Sequence, residues 1–249
     1  MSFRICARLE TKGNQVVKGY QLEGLRVVGE LSELANTYYT AGVDELIVSD
    51  VTSSWFSTQT TVSMLSKLIE GCFVPITIGG GIRTLDDVDS CLRAGAERVS
   101  INTASFKSPD LLVQIARKYG SQSIVVNLQA KKINGDYYCY FFNGRENTNL
   151  TLESFLSTLS CNVAGEILIN SIDNDGAQNG PDFELVNRTL KNTELPVIYA
   201  GGVGRIQQIR SLFDLSVNAV AIGAALHYKK LDIAEIKSSP LLDGFGMRR

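Results

Sequence analysis

The sequence predicts an α/β protein, a single (β/α)8 barrel of the TIM type with a twofold internal repeat. Short apolar runs rich in β-branched residues alternate with amphipathic segments, which is typical of a parallel sheet covered by helices. The length of 249 residues is that of one such barrel. No linker or low-complexity tract interrupts the pattern. We therefore expect one domain over residues 1–249, with half-repeats of approximately 1–121 and 122–249.

Glycine-rich strand ends recur at a fixed offset and indicate the internal repeat. Ile-Gly-Gly-Gly-Ile at residues 78–82 and Ala-Gly-Gly-Val-Gly at residues 200–204 lie about 121 positions apart. Two further strand ends with small residues, at 100–104 and 221–225, keep the same offset. Self-similarity of this kind predicts that the barrel is a duplicated half-barrel.

Each predicted element follows from this alternation. The strands are predicted at residues 4–10, 45–50, 74–78, 98–101, 123–128, 166–171, 197–200 and 219–222. The helices are predicted at residues 31–41, 63–71, 85–94, 109–119, 152–160, 183–190 and 206–212, with Ser108-Pro109 as a helix start. Residues 11–25 and 131–150 are predicted to be long irregular loops, with a small hairpin at 137–142 in the second.

Composition excludes several classes of function. The net charge of −2 gives no support to broad nucleic-acid binding. No apolar run approaches the ~20 residues that span a membrane, and we expect no signal peptide before the first strand. Five widely spaced cysteines without a CxxC motif fit reduced thiols, so we expect a cytoplasmic protein. The single histidine, His227, excludes a histidine-rich metal site and is expected to pack against or cap a helix. We expect neither a metal nor a cofactor.

The glycine turns predict phosphate binding. A glycine turn lets backbone N–H groups approach a phosphate, and a following helix start adds partial positive charge. Two such turns in repeat register predict two phosphate cradles and an elongated ligand with a phosphate at each end. The alternative is a pair of tight βα turns without a ligand.

Polar residues follow the predicted strands at the same end of the barrel. Glu10 ends strand one, Gln129 ends strand five, Asp50 ends strand two and Asp175 follows strand six. The carboxyl ends of barrel strands converge on one face, where carboxylates can serve as general acid and base. Alternatively, Asp50 and Asp175 cap loops or helices.

Several motifs carry a resemblance to a known family. They are Val-Lys-Gly at 17–19, Asp-Glu-Leu at 44–46, the glycine runs at 78–82 and 200–202, Val-Ser-Ile-Asn-Thr-Ala at 99–104, Phe-Asn-Gly at 142–144 and Ser-Ile-Asp-Asn-Asp-Gly at 171–176. Nearly end to end, the chain resembles the HisF-type cyclase subunit of imidazole glycerol phosphate synthase, within the HisA/HisF family. The sister isomerase of histidine biosynthesis resembles it less.

The resemblance implies a lyase-type synthase subunit of histidine biosynthesis. It would form a heterodimer with a HisH-type glutaminase bound at the barrel bottom. Ammonia from that partner would enter the bottom and react at the top with a bisphosphorylated ribulosyl-imidazole-carboxamide precursor. The products would be imidazole glycerol phosphate and the aminoimidazole carboxamide ribotide.

The family's site residues carry over by position. One phosphate cradle matches Gly81, Asn102 and Thr103, and the other matches Asp175, Gly176, Gly202, Gly223 and Ala224. Lys18 matches the substrate-covering lysine of the strand-one loop. At the barrel bottom, the ammonia gate matches Arg4, Glu45, Arg98 and Glu166. Four alternating charges at strand starts fit a structural salt-bridge plug equally well.

The chain departs from the family at its catalytic pair. The family has two aspartates where this chain has Glu10 and Gln129. Glu10 keeps a carboxylate with one more methylene, whereas the amide of Gln129 cannot transfer a proton at neutral pH. Strand alternation also places Arg8 in the lumen beneath Glu10, where a guanidinium needs a partner. We expect Glu10 as that partner, with Asn127 and Ser49 completing a polar network.

Three interpretations of function remain open. The first is the cyclase-type subunit that the resemblance implies, with weak or absent turnover of the histidine precursor. The second is a paralogue that carries ammonia to another acceptor, such as a sugar of surface-polysaccharide synthesis. The third is a barrel that binds a phosphorylated ligand without turnover and activates its glutaminase.

Overall fold

A closed barrel of parallel strands forms the centre of the protein. The computed structural model describes residues 3–52, 62, 65, 68 and 71–246. Within these residues the barrel strands are, in order around the barrel, β1 (Arg4–Lys12), β4 (Glu45–Asp50), β5 (Ile76–Gly79), β6 (Arg98–Ile101), β7 (Ile124–Ile133), β10 (Glu166–Ser171), β11 (Val197–Ala200) and β12 (Ala219–Ile222). Strand β12 pairs with β1, with Ala219 opposite Arg4, which closes the barrel. The predicted fold class is confirmed.

Helices cover the outside of this barrel. Those described are α1 (Leu31–Thr40), α2 (Leu85–Arg93), α3 (Thr103–Lys107), α4 (Asp110–Tyr119), α5 (Leu152–Leu156), α6 (Phe183–Lys191), α7 (Ile206–Asp214), α8 (Ala224–His227) and α9 (Ile233–Ser238), with 3-10 turns at Ser121–Ser123 and Pro240–Leu242. Helix α4 begins near Pro109, as predicted. Pro109 is the N-cap residue, so no N-cap side chain accepts a hydrogen bond from the first turn of the helix. The helix predicted at 63–71 falls almost entirely outside the described residues.

The two stretches predicted to be irregular loops are strands, and that prediction was wrong. Strand β1 continues to Lys12 and pairs antiparallel with β2 (Gln15–Tyr20), which pairs with β3 (Glu23–Glu30). Strand β7 likewise continues to Ile133 and pairs with β8 (Asp136–Phe141), which pairs with β9 (Glu146–Thr151). The residues predicted as a hairpin at 137–142 lie mostly in β8. Tight two-residue turns join β1 to β2 and β7 to β8, and these antiparallel extensions occupy equivalent places in the two halves.

The barrel interior is a separate packing layer. A first cluster of buried residues lies between the strands and the helices, and a second cluster fills the lumen. The lumen cluster consists of small and aliphatic side chains: Cys6, Ile47, Val125, Leu168, Ile198, Ala200, Ala219 and Ala221. Polar and charged residues follow this apolar layer at both ends of the barrel.

The β2–β3 hairpin lies against the rim of the second half-barrel. The backbone N–H of Gln21 donates to the carbonyl of Asp175 at 2.8 Å, and the Gln21 amide donates to the carbonyl of Asp173 at 2.9 Å. Gly176 has φ +75°, and a Cβ built there would lie 2.2 Å from the carbonyl oxygen of Gly19. A glycine at 176 is therefore required both by the left-handed backbone and by the approach of the hairpin.

Replacement of Gly176 tests this contact. We expect Gly176→Ala to lower the free energy of unfolding by about 2–4 kcal/mol, because it adds a clash to the left-handed strain. The matched control is Gly13→Ala, which has φ +58° and open space around its Cβ position. Gly13→Ala should lower the free energy of unfolding by only about 1 kcal/mol. Equal losses in chemical denaturation would show that the hairpin does not press on Gly176.

Candidate functional site

A cavity opens at the carboxyl ends of the barrel strands, over the first half-barrel. Its volume is about 480 Å³. It is lined by residues from both the predicted first cradle and the altered catalytic pair: Gly81, Asn102, Thr103, Glu10 and Gln129, together with Arg8, Ser100, Lys107 and Asn127. Sequence reasoning identified most of these residues but not Lys107 or Ser100. Both lie within a few residues of the predicted cradle, at the end of α3 and in β6.

The backbone geometry of the glycine turns repeats in the two halves. Gly80 and Gly81 have φ values of 101° and 71°, and Gly201 and Gly202 have 114° and 77°. Only glycine adopts such consecutive left-handed angles without strain. Asn102 follows β6 and is held by the next two strands, because its amide nitrogen donates to the carbonyls of Asn127 in β7 at 2.8 Å and Tyr140 in β8 at 3.1 Å.

The residues of the predicted second cradle surround a much smaller space. Asp175, Gly176, Gly202, Gly223 and Ala224 line a pocket of about 20 Å³, together with Arg8 and Lys18. That volume is about what a single water molecule needs. The backbone N–H of Gly180 donates to the carbonyl of Gly202 at 2.8 Å, which fixes the outer edge of this pocket. The duplicated turns therefore differ in the space above them.

Four buried charges form a closed ring between the two turns. Arg8 contacts Glu10 at 2.7 Å and Asp175 at 3.1 Å. Lys18 contacts the same two carboxylates, Glu10 at 2.7 Å and Asp175 at 2.6 Å. Each of the four side chains is at most 4% exposed. We call these residues the upper ring. Arg8 points into the lumen and pairs with Glu10, as strand alternation predicted, whereas its second partner, Asp175, was not predicted.

The upper ring controls the protonation of its members. Burial raises the pKa of Glu10, but the charges of Arg8 and Lys18 outweigh burial and hold that pKa below its usual value. Burial lowers the pKa of Lys18, and the carboxylates of Asp175 and Glu10 more than compensate, so that this pKa is raised. Glu10 is therefore an ionised carboxylate at neutral pH with little tendency to accept a proton.

Three buried polar groups beside the ring have unused hydrogen-bonding capacity. Oε1 of Gln129, Oδ1 of Asn127 and Oγ of Ser100 have no hydrogen-bond partner within the part of the chain that the structure describes. All three side chains line the cavity and are less than one-tenth exposed. Buried polar atoms are normally satisfied, so these atoms are placed to bind polar groups of a ligand or water. The predicted network of Arg8 with Asn127 is thus replaced by the upper ring.

The two aspartates considered for acid–base chemistry have different surroundings. Oδ1 of Asp50 accepts from the backbone N–H of Thr52 at 2.8 Å and from its hydroxyl at 2.7 Å. This is the loop-capping role that the sequence left open, although Asp50 also lines the cavity. Asp175 belongs to the upper ring.

A second ring of charges closes the opposite end of the lumen. Arg4 contacts Glu45 at 2.8 Å and also contacts Glu166, and Arg98 contacts both of the same carboxylates. We call these four residues the lower ring. Thr77 donates its hydroxyl to Glu45 at 2.6 Å, so that this carboxylate is held from two sides. A surface pocket of about 460 Å³ lies outside the ring and is lined by Arg4, Glu45 and Arg98.

His227 packs at the end of α8, against α1. Its Nδ1 lies 2.7 Å from the hydroxyl of Tyr38, and the two rings stack. Burial lowers the pKa of His227 to about 4, and the charge of Lys18 contributes in the same direction. The folded protein therefore holds a neutral imidazole, whereas the unfolded chain titrates near 6.5. The packing role predicted from the sequence is confirmed.

The pH dependence of stability tests this environment. A lowered histidine pKa contributes stability that is complete above about pH 6.5 and lost as the pH falls towards 4. We expect the free energy of unfolding to fall by about 3 kcal/mol over that interval from this group alone. His227→Gln should remove that component, and Tyr38→Phe should retain it. An NMR titration of the single histidine that gives a pKa near 6.5 would contradict the prediction.

Among the described residues, no group of three or more His, Cys, Asp or Glu side chains is placed to hold a metal ion. Over the same residues, no helix has the length and apolar character needed to cross a membrane.

Fold and site together define an α/β barrel protein with a ligand cavity at its carboxyl face and a charged closure at its amino face. Residues 4–232 match the family described as histidine biosynthesis protein, and the chain belongs to that family. The imidazole glycerol phosphate synthase subunit HisF of Legionella pneumophila is 42% identical over 206 residues, covering 82% of this chain and 97% of that protein. HisF of Thermotoga sp. strain RQ2 is 35% identical over 245 residues, covering 98% of this chain and 97% of that protein. HisF of Bifidobacterium adolescentis is 35% identical over 254 residues, covering 100% of this chain and 99% of that protein.

Proposed function

We propose that this chain is the ammonia-receiving subunit of a glutamine-dependent synthase of the HisF type. In this proposal a HisH-type glutaminase binds the barrel bottom and forms a heterodimer with the chain. Ammonia passes the lower ring, crosses the lumen and meets a phosphorylated acceptor in the cavity at the top. The relatives bear the name of a subunit of imidazole glycerol phosphate synthase, which agrees with a subunit that works beside a partner.

The position of the lower ring carries this proposal. The ring lies at the amino ends of β1, β4, β6 and β10, and the apolar lumen layer begins at Cys6 directly beside it. Arg98 is 15% exposed and Arg4 is 26% exposed, while the two carboxylates are buried. A plug needed only for stability would be served by apolar side chains, because buried ion pairs contribute little net stability. A ring of paired charges beside a surface pocket is better suited to act as a gate for ammonia beneath a bound glutaminase.

The altered pair at the top limits the chemistry that we propose. Gln129 offers hydrogen bonds but no proton transfer, and the carboxylate of Glu10 is occupied by two cations. A positioned acid or base typically accelerates a reaction by 10²–10⁴-fold, roughly the factor that the chain gives up here. We therefore propose that turnover of the histidine precursor is weak or absent.

The same two residues favour a second candidate, a paralogue with another acceptor. A nucleophilic attack by ammonia on an activated sugar, as in surface-polysaccharide synthesis, does not require the aspartate pair at these positions. Binding without turnover, combined with stimulation of the glutaminase, is the remaining alternative. Nearby genes discriminate the first two: histidine-pathway enzymes favour the cyclase, and nucleotide-sugar enzymes favour the paralogue.

Turnover of the histidine precursor tests the top of the barrel. The assay supplies the unmodified chain with the bisphosphorylated precursor and ammonium salt, and HisF of Thermotoga sp. strain RQ2 is assayed beside it. We expect the chain to form imidazole glycerol phosphate at least about 100-fold more slowly than that HisF. Comparable rates would overturn the argument from Gln129 and Glu10 and would favour the first interpretation without qualification.

Complex formation tests the bottom of the barrel. A HisH-type glutaminase from the same genome should form a 1:1 complex with the chain and hydrolyse glutamine faster in its presence. Arg98→Glu reverses a charge in the lower ring and should abolish the stimulation, whereas Arg98→Met should weaken it. Lys131→Glu is the control, because it makes the same change of charge on the exposed β7–β8 hairpin at the other end. Equal stimulation by all variants would argue against a gate.

A further inference from the structure

We infer that Lys107 is a phosphate-binding residue of the cavity over the first half-barrel, and that the rings of Phe141 and Phe142 position its ammonium group there. This inference rests on the proposed function, in which a phosphorylated acceptor occupies that cavity. It goes beyond the proposed function because it adds a cation to the first cradle that neither the glycine turns nor the resemblance assigns.

Lys107 lies one helical turn from the predicted first cradle. It is the last residue of α3, and Thr103 is the first residue of the same helix. Side chains four positions apart lie on the same face of a helix, so Lys107 extends from the face that carries Thr103. Both residues line the cavity of about 480 Å³, together with Gly81 and Asn102 of the cradle. Lys107 therefore shares one space with the glycine turn.

The charge of Lys107 complements a cradle that is itself neutral. The three residues matched to the first cradle offer hydrogen bonds but no positive charge. Arg8 also lines the cavity, but it is paired with the two carboxylates of the upper ring. Arg83 and Lys107 are the other basic residues of the cavity lining, and of these two Lys107 lies on the helix that begins at Thr103. An ammonium group at this place can form a charge-assisted hydrogen bond with a phosphate.

Two aromatic rings hold the ammonium group of Lys107 beside the cavity. Its Nζ lies 4.8 Å from the centre of the Phe141 ring and 4.3 Å from the centre of the Phe142 ring. Phe142 itself lines the cavity. Within the part of the chain that the structure describes, Lys107 forms no ion pair. An aromatic face attracts a cation without neutralising its charge, so this ammonium group remains able to bind an anion.

The backbone at Phe142 connects these rings to the cradle. Phe142 has φ +51° and Asn143 has φ +57°, at the turn between β8 and β9. A bulky residue in the left-handed region is uncommon, and such strain is concentrated at ligand sites. The backbone N–H of Phe142 donates to the hydroxyl of Thr103 at 3.4 Å. One strained turn thus contacts both the cradle and the lysine.

The two antiparallel hairpins differ in the side chains that they bring to the rim. Strand β2 carries Lys18, the residue matched to the substrate-covering lysine, whereas β8 has the sequence Asp-Tyr-Tyr-Cys-Tyr-Phe and contains no basic residue. The repeat offset of about 121 places Tyr228 at the position of Lys107, so the lysine is particular to the first half. In that half the helix supplies the cation, and the hairpin supplies the rings that position it.

A buried hydroxyl in the same cavity also indicates a polar ligand. Ser100 lies two residues before Asn102, and its Oγ is buried without a hydrogen-bond partner among the residues described. Buried hydroxyl groups are normally satisfied, so a ligand or water is expected to bond here. The cavity therefore offers a hydrogen-bonding group and a positive charge on the same side of the barrel mouth.

Titration of the full chain with inorganic phosphate tests this inference without turnover or a glutaminase. In isothermal titration, Lys107→Met should weaken phosphate binding at one site by about tenfold, because it removes a hydrogen bond from a charged group. Lys107→Arg keeps the charge and should stay within about threefold of the unmodified chain.

Lys191→Met is the control for net charge. Lys191 is exposed at the end of α6, and its replacement should leave phosphate binding unchanged. An unmodified chain that does not bind phosphate, or a Lys107→Met variant that binds it as tightly as the unmodified chain, would overturn the inference. An equal loss of binding in Lys191→Met would overturn it as well. Each result stands whether or not the glutaminase complex forms.

A double-mutant cycle tests the positioning role of the rings. Phe142→Leu should weaken phosphate binding by about threefold, because the ammonium group loses the contact that restrains it. In a chain that already carries Lys107→Met, the same substitution should change phosphate binding by less than about 1.5-fold. Equal effects of Phe142→Leu in the two backgrounds, including no effect in either, would show that the ring does not act through the lysine and would contradict its positioning role.

Discussion

The pairing of Arg8 with two carboxylates is the constraint on which the upper half of the site depends. A guanidinium at this depth in a barrel lumen is tolerated only if its charge is neutralised nearby. Glu10 and Asp175 do this, and they leave a negative charge that Lys18 neutralises in turn. The burial of Lys18 brings β2 down onto the rim. Arg8 and Lys18 together hold Glu10 ionised, and the carboxylates that they share connect the lumen of the barrel to the hairpin.

The lumen is consequently organised in three layers. Charged rings lie at its two ends, and an apolar layer of small and aliphatic side chains separates them. The lower ring is partly exposed and lies beneath a surface pocket, whereas the upper ring is buried. A neutral molecule such as ammonia crosses an apolar layer far more easily than an ion does, because burial penalises charge. The layering therefore suits a route for an uncharged nitrogen nucleophile.

Much of this arrangement was predictable from the sequence because it depends on periodicity and repeats. Alternation placed Arg8 and Glu10 on one face of β1, and the repeat placed Gly81 and Gly202 in equivalent turns. The extended hairpins were missed because β3 and β9 consist largely of polar residues and glycine, although Gly13-Asn14 and Asn134-Gly135 are turn sequences typical of hairpins. The second partner of Arg8 was missed for a different reason: Asp175 lies 167 positions away, and only the closed barrel brings the two together.

The two antiparallel extensions occupy equivalent positions in the two halves, and each contacts the neighbouring rim through different residues. The first does so through Lys18 and Gly19, and the second through the hydroxyl of Tyr137, which donates to Asp182 at 2.8 Å. Gene duplication followed by fusion supplies two copies of the same extension. Because each hairpin lies beyond the barrel, its side chains can change without moving the strands beneath. Selection can then change one copy while the other keeps its contacts. In this sense the symmetric fold is a starting point for asymmetric ligands, and the step requires no more than a few charged side chains.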